Sequence, residues 1–271
     1  MPRRMKKYWH VIGVGLQNNL AYRFNYLTRT LFSFIPLFAM LSLWRTIYTG
    51  QGGGEHSGYT LAQMIFYYML VAVVDVMTAV NEDDWQIAAD IREGNISQFL
   101  LKPVDYLWYR LSLFVAGRMS FILMAGGPLL VFIFCFRDYF VAPVNGVALA
   151  VFIFSLVLTA LLQFFISYAM AMLAFWLLEI STLIFILFAV EYLASGHLFP
   201  LDMLPHGLQQ ALFCTPFPYQ LFFPISIYLG KVSGMELVKG LLIQAGWVAA
   251  AYAFARFMWR RGIRKYSAFG G

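Results

Sequence analysis

The chain has 271 residues, of which 61% are hydrophobic and only 12% charged, with a formal net charge of +6. Soluble domains are about half apolar and about a quarter charged, so a soluble enzyme built from this chain would lack polar surface, and a disordered chain would lack the apolar content seen here. Cys135 and Cys214 alone cannot form a disulfide framework, no Cys/His cluster has zinc spacing, and positive charge on so apolar a chain suits anionic lipid headgroups rather than nucleic acid.

What remains is an integral membrane protein. Its N-terminus opens on basic residues, Met1–Lys7, but Gln17, Asn18, Asn19, Arg23 and Asn25 interrupt any secretory core and no small-residue cleavage site follows. Trp9, Ile12, Leu16, Leu20 and Phe24 instead recur every three or four residues. That spacing gathers them on one helical face and predicts an interfacial helix over residues 1–25.

A bilayer core needs about 20 apolar residues in a helix. Six segments qualify: 29–48, 61–80, 111–136, 147–178, 180–199 and 237–258. Pro143, Asn145 and Gly146 mark the turn before the fourth, which is longer than a bilayer requires. Glu179, Ser181 and Thr182 separate it from the fifth. Between the fifth and sixth, Pro200, Pro205, Pro216, Pro218 and Pro224 make up five of the ten prolines. Proline removes a backbone donor and clashes with the preceding turn. Residues 200–230 therefore read as a broken, re-entrant outer hairpin rather than a seventh span, tolerated where protein covers it or a wet cavity lies beside it.

Orientation follows from Lys and Arg. Arg3, Arg4, Lys6, Lys7, Arg23 and Arg29 lie at the start, Arg92, Lys102 and Arg110 between the second and third spans, and Arg256, Arg260, Arg261, Arg264 and Lys265 at the end. The connections 49–60, 137–146 and 200–236 hold only Arg137 and Lys231. With six spans the basic clusters share one side, which the positive-inside rule makes cytoplasmic, both termini included. No internal repeat or linker divides the chain, so 1–271 reads as one all-α membrane domain.

The cytoplasmic segment 81–110 holds six of the thirteen acidic residues: Glu82, Asp83, Asp84, Asp90, Glu93 and Asp105. Trp85, Ile87 and Ile91 lie before Gly94; Ile96, Phe99 and Leu100 lie after it, and Pro103 stops the second run. The pattern predicts two short amphipathic helices with a glycine joint. Spacing alone leaves two readings, a loop packed on the membrane surface and a docking element for a soluble partner.

Ionisable groups inside a span require a partner, a wet face or a role. Asp75 in the second span and Arg118 in the third lie about 9–11 Å from the cytoplasmic ends, at 1.5 Å per residue. They read as an intramembrane ion pair, structural or rearranging during gating. Glu191 sits near the middle of the fifth span, followed by Tyr192, Ser195 and His197. It reads as a buried neutral acid bonded to a neighbouring span or, with Tyr192, as an acidic wall of a substrate path. An acid among aromatics suits a hydrophobic cation.

The run Ile91-Arg92-Glu93-Gly94-Asn95-Ile96-Ser97-Gln98-Phe99-Leu100-Leu101-Lys102-Pro103 resembles the coupling region of ABC-2-type permeases, nearest the branch that includes viologen-exporter-like permeases. Ala21–Asn25 resembles that branch's approach to its first span. Gly196-His197-Leu198-Phe199-Pro200-Leu201, with Pro205, Pro216, Phe217, Pro224 and Gly230, resembles its proline-punctuated hairpin. Trp259–Tyr266 resembles its closing basic stretch. The resemblance implies a permease half-unit in the inner (plasma) membrane, paired with a second copy or a diverged sister. It implies docking of a cytosolic ABC ATPase through Trp85, Ile87, Ile91, Arg92, Glu93, Gly94, Ile96, Phe99 and Leu100, with the N-terminal helix on the same surface.

No G-x-x-x-x-G-K-[ST] loop occurs, and Gly52-Gly53-Gly54 lacks its lysine. ATP and magnesium are therefore expected on the partner subunit and no cofactor on this chain. The function implied is export of a hydrophobic or cationic small molecule. The alternative is a proton-coupled secondary transporter using Asp75 and Glu191, against which stands the absence of paired half-repeats with broken spans. Neither H-E-x-x-H nor G-x-S-x-G occurs to suggest an intramembrane enzyme.

Overall fold

The computed structural model of the chain describes residues 3–21, 23–50, 58–80 and 83–266. Tyr22, the glycines Gly52–Gly54, and Asn81 and Glu82 at the head of the cytoplasmic segment lie outside the described residues. Among those described the fold is all-helical.

Helix α1, Arg3–Ala21, lies along α6, Tyr106–Cys135. The close approach is at Gly15, where an added Cβ would come within 2.9 Å of the Ala116 Cβ. Small residues let two helix backbones meet in this way. Trp9, Leu20 and Phe24 are left outward, while Ile12 and Leu16 are half-buried. The predicted apolar stripe is thus divided between its own protein and the surroundings.

Among the described residues five helices are long and apolar enough to cross a membrane. Helix α2, Arg23–Gly50, carries the first; α3, Leu61–Thr78, lies in the second; α6 is the third. Helix α7, Gly146–Ala171, continues as a 3-10 turn, Met172–Phe175, and α11 runs from Gly234 to Lys265. Thr60 opens α3 with a capping box, its hydroxyl accepting from the Gln63 amide while the Gln63 side chain accepts from the Thr60 amide. Met64 to Val71 are all buried, which places α3 at the centre of the fold. Helix α7 packs against α11, held by Gln244. Its amide donates to the Ser155 and Tyr219 carbonyls and to Thr159 Oγ1, and its oxygen accepts from Ser155 Oγ.

The fifth predicted span is corrected. The expected helix over 180–199 ends at Ala194, so α8, Ser181–Ala194, has 14 residues. At 1.5 Å per residue it is about 21 Å long, short of a hydrocarbon core of about 30 Å. The chain then runs unwound along α3. Tyr67 Oη donates to the Gly196 carbonyl at 2.7 Å, Tyr68 Oη to the Leu198 carbonyl, and the Phe222 amide to the Ser195 carbonyl at 3.0 Å. Trp44 Nε1 holds Tyr68 from the far side at 2.9 Å. Non-helical backbone inside a membrane protein must find such partners. Gly196 has φ +103°, and an added Cβ would meet Tyr67 Oη at 2.8 Å, so glycine is required there.

The proline-rich stretch breaks as expected into short pieces: α9, His206–Phe213; a 3-10 turn, Phe217–Gln220; and α10, Phe222–Tyr228. Pro205 and Pro216 stand just before helical turns, and Pro218 and Pro224 lie in first turns, where no intrahelical donor is lost. Helix α10 is buried throughout, against α7 and α3. Lys231 Nζ reaches Asp202 Oδ2 at 2.8 Å and lies over the Tyr59 ring, whose hydroxyl also donates to Asp202 at 3.1 Å. Burial first, then the nearby Asp202 charge, pushes the Tyr59 hydroxyl above its ordinary pKa.

Candidate functional site

Two assemblies carry the predicted site residues. The first is the segment after α3. Helix α4 spans Asp83–Arg92 and α5 spans Ile96–Leu100, with Gly94 between them at φ +80°. This left-handed backbone is what glycine permits, and it turns the chain sharply at the predicted joint. Tyr266, just past α11, donates to the Gly94 carbonyl at 2.9 Å and meets Ser97 Oγ at 2.8 Å. Arg256 of α11 pairs with Asp105 at 2.6 Å, and Asp105 in turn caps α6 by accepting from the Trp108 amide. Arg110 pairs with Asp90 of α4, and Tyr106 Oη donates to the same carboxylate at 2.7 Å.

The apolar stripe of this segment faces inward. Ile87 and Ile91 are buried, Ile96 is 0% exposed, and Phe99 packs on Tyr106 and Tyr109 at 5.1 and 4.9 Å. These residues belong to the protein's own core. The free face is formed by Trp85, Arg92, Glu93 and Leu100, with Leu101 the most open at 88% exposure. Arg92 also reaches the head of α8, lying 3.8 Å from Glu179. The Ser181 hydroxyl and amide donate to Glu179 and hold its carboxyl below the usual range.

The second assembly is built on α3 and α8, with α2 and α6 contributing to one cavity and α7 to the other. A cavity of about 330 Å³ is lined by Phe34, Leu37, Tyr68, Phe121 and Leu129 among others. A neighbouring one of about 290 Å³ is lined by Asp84, Gln163, Ser167, Phe188 and Glu191. Asp75, Tyr192 and His197 line both. His197 Nε2 is 3.1 Å from Asp75 Oδ1, its Nδ1 is 2.6 Å from Ser195 Oγ, and its ring stacks on Tyr192 at 4.9 Å. Glu191 is half-buried in the wall of the second cavity.

The sequence pairs Asp75 with Arg118, whereas the structure seats His197 against Asp75. Arg118 is buried with its guanidinium over Phe114 and Phe121, at 5.8 and 5.2 Å. The partner changes because α8 ends early, so the unwound chain brings His197 level with Asp75. Sequence reasoning missed Gln163 and Ser167. Their signal was two polar residues one helical turn apart in the otherwise apolar run 147–178. It counted Asp84 only among the acids of the segment.

A family model described as ABC-2 family transporter protein matches residues 34–270, nearly the whole chain. The chain belongs to this family. No curated protein and no solved structure matches it. As an ABC-2 family transporter it is a multi-pass membrane protein, a transporter subunit rather than an enzyme, and the family implies partnership with an ABC ATPase. The matched region includes both assemblies, the joint at Gly94 and the cavities around Asp75.

Proposed function

We propose that this ABC-2 family transporter is the permease subunit of an ATP-driven exporter, on the viologen-exporter-like side of the family. It moves a hydrophobic or cationic small molecule outward, using ATP and magnesium bound by a separate ATPase. The chain crosses the inner membrane six times, with α8 and the unwound stretch after it making the fifth crossing and both termini in the cytoplasm. It works as a pair with a second copy or a sister permease. Helix α8 leaves Phe185, Ile186, Val190 and Leu193 outward, a surface suited to lipid or to that second subunit.

One observation carries this reading. The segment α4–α5 is fixed to the protein at its joint by Tyr266 and at its base by Asp90–Arg110, and α4 also places Asp84 in the wall of the second cavity. A push on the free face of α4 and α5 therefore reaches that wall through packed elements. Coupling between sites requires such a physical connection. The test is purification of the tagged protein from its native membranes. A cytosolic chain with an ATP-binding motif should come with it, and the pair should hydrolyse ATP in lipid. Recovery of the permease alone, with no ATP hydrolysis, would contradict the proposal.

A further inference from the structure

The second cavity carries acidic groups from three separate elements: Asp75 from α3, Asp84 from α4 and Glu191 from α8. Among the described residues no Lys or Arg lines it, and His197 is engaged with Asp75. The space should therefore attract a cation. Among the described residues no three His, Cys, Asp or Glu side chains gather closely enough to share a metal ion, which favours an organic cation.

An independent observation narrows the cation further. Gln163 projects from α7 into this wall, is only 7% exposed, and its side-chain oxygen has no hydrogen-bond partner among the described residues. Ser167, one turn on, lines the same space. A buried amide oxygen left without a donor is costly, so the ligand that completes this site should bring N–H bonds. A quaternary ammonium ion has none. The adjoining chamber, which shares Asp75, Ala79, Tyr192 and His197 with this one, is lined mainly by apolar and aromatic side chains. Together the two chambers fall in the range of roughly 300–1,000 Å³ typical of small-molecule sites.

We propose that the acidic cavity is the head-group site for a protonated primary or secondary amine, whose apolar body occupies the aromatic chamber beside it. The ammonium N–H groups bond to Gln163 Oε1 and to the carboxylates, and Tyr192 at the boundary offers its ring to the charge. Because Asp84 belongs to α4, a bound amine touches the docking segment directly. This deepens the exporter reading, on which it rests for the meaning of the site.

The experiment uses the full chain in nanodiscs of zwitterionic lipid at neutral pH, with empty nanodiscs as the blank. Three probes share one ring system: 1-naphthylmethylamine, its N,N,N-trimethylammonium counterpart, and 1-naphthalenemethanol. Equilibrium dialysis should show saturable binding of the amine, about tenfold tighter than the trimethylammonium ion, as expected for a hydrogen bond to a charged group. The neutral alcohol should bind most weakly. Gln163→Met, close in volume, should weaken the amine toward the level of the trimethylammonium ion and leave the latter unchanged, while Asp84→Asn with Glu191→Gln should weaken both cations and leave the alcohol unchanged. A thermal melt of each variant checks that it is folded; if Gln163→Met is not, Gln163→Leu takes its place with the same expected loss. Equal affinity for the two cations, no saturable amine binding, or unchanged selectivity in the folded variant would overturn the proposal. No ATPase is present, so these results leave the ATP-coupling reading standing, and failure to recover an ATPase would leave amine binding untouched.

Discussion

At the residue scale, Tyr67 and Gly196 decide whether the chain can leave the helix after Ala194. Tyr67→Phe removes the donor to the buried Gly196 carbonyl and should cost about 1–3 kcal/mol, read as a lowered melting temperature in detergent. Gly196→Ala should cost more, since it adds strain at φ +103° to a 2.8 Å contact with Tyr67. An unchanged melt for both variants would mean that the unwound stretch is held by other contacts. Glu191 poses a different question. Glu191→Gln keeps hydrogen bonding and removes the charge, so export of a cationic substrate should fall while the melt stays constant. A silent Gln beside a destabilised Leu would mark Glu191 as a buried neutral acid instead. Tyr59 sets a pH limit at the other end of α3. Its hydroxyl is raised above 10.0, so its bond to Asp202 contributes fully below the ordinary phenol value and is lost only as pH rises through the raised one. An ultraviolet titration of wild type against Tyr59→Phe should show this tyrosine ionising later than an exposed one.

At the scale of elements, the α4–α5 segment separates what faces a partner from what faces the core. Leu101→Asp changes an exposed position and should weaken recovery of the ATPase without shifting the melt. Ile96→Asp places a charge at a fully buried position and should destabilise the subunit by several kcal/mol, about the cost of an unpaired buried group. If Leu101→Asp left recovery and coupled hydrolysis unchanged, the outer face of α5 would not be the docking surface. The two helices and their joint were legible in the sequence, because Ile87, Ile91, Ile96 and Phe99 keep helical spacing on either side of Gly94. Their direction was not legible. Periodicity defines a face but not what covers it, and here Tyr106, Tyr109 and the end of α11 cover it. The early end of α8 was hidden for a related reason. Residues 180–199 are apolar enough for a full span, and the break depends on tyrosine hydroxyls that reach it from α3. The acidic cavity was half legible: Glu191 stood out by its depth, while Asp84 and Gln163 join it only when α4 and α7 pack against α8.

At the scale of the whole molecule, the six-span topology proposed above puts the α4–α5 face and helix α9 on opposite sides of the membrane. Both cysteines are free and exposed, so Cys135→Ser with Cys214→Ser gives a background for Leu101→Cys or Gln210→Cys. A membrane-impermeant maleimide should label Gln210→Cys from outside intact cells and Leu101→Cys only in inverted vesicles. Labelling of both from one side would remove a crossing between them. Under the proposed function, ATP hydrolysed by a partner drives this permease. The most direct measurement is uptake of 1-naphthylmethylamine into inverted vesicles holding the permease with its co-purified ATPase. Uptake should require both subunits and ATP, and should persist when a protonophore collapses the proton gradient. Uptake by the permease alone, driven by an imposed proton gradient and indifferent to ATP, would contradict the account and identify a secondary transporter.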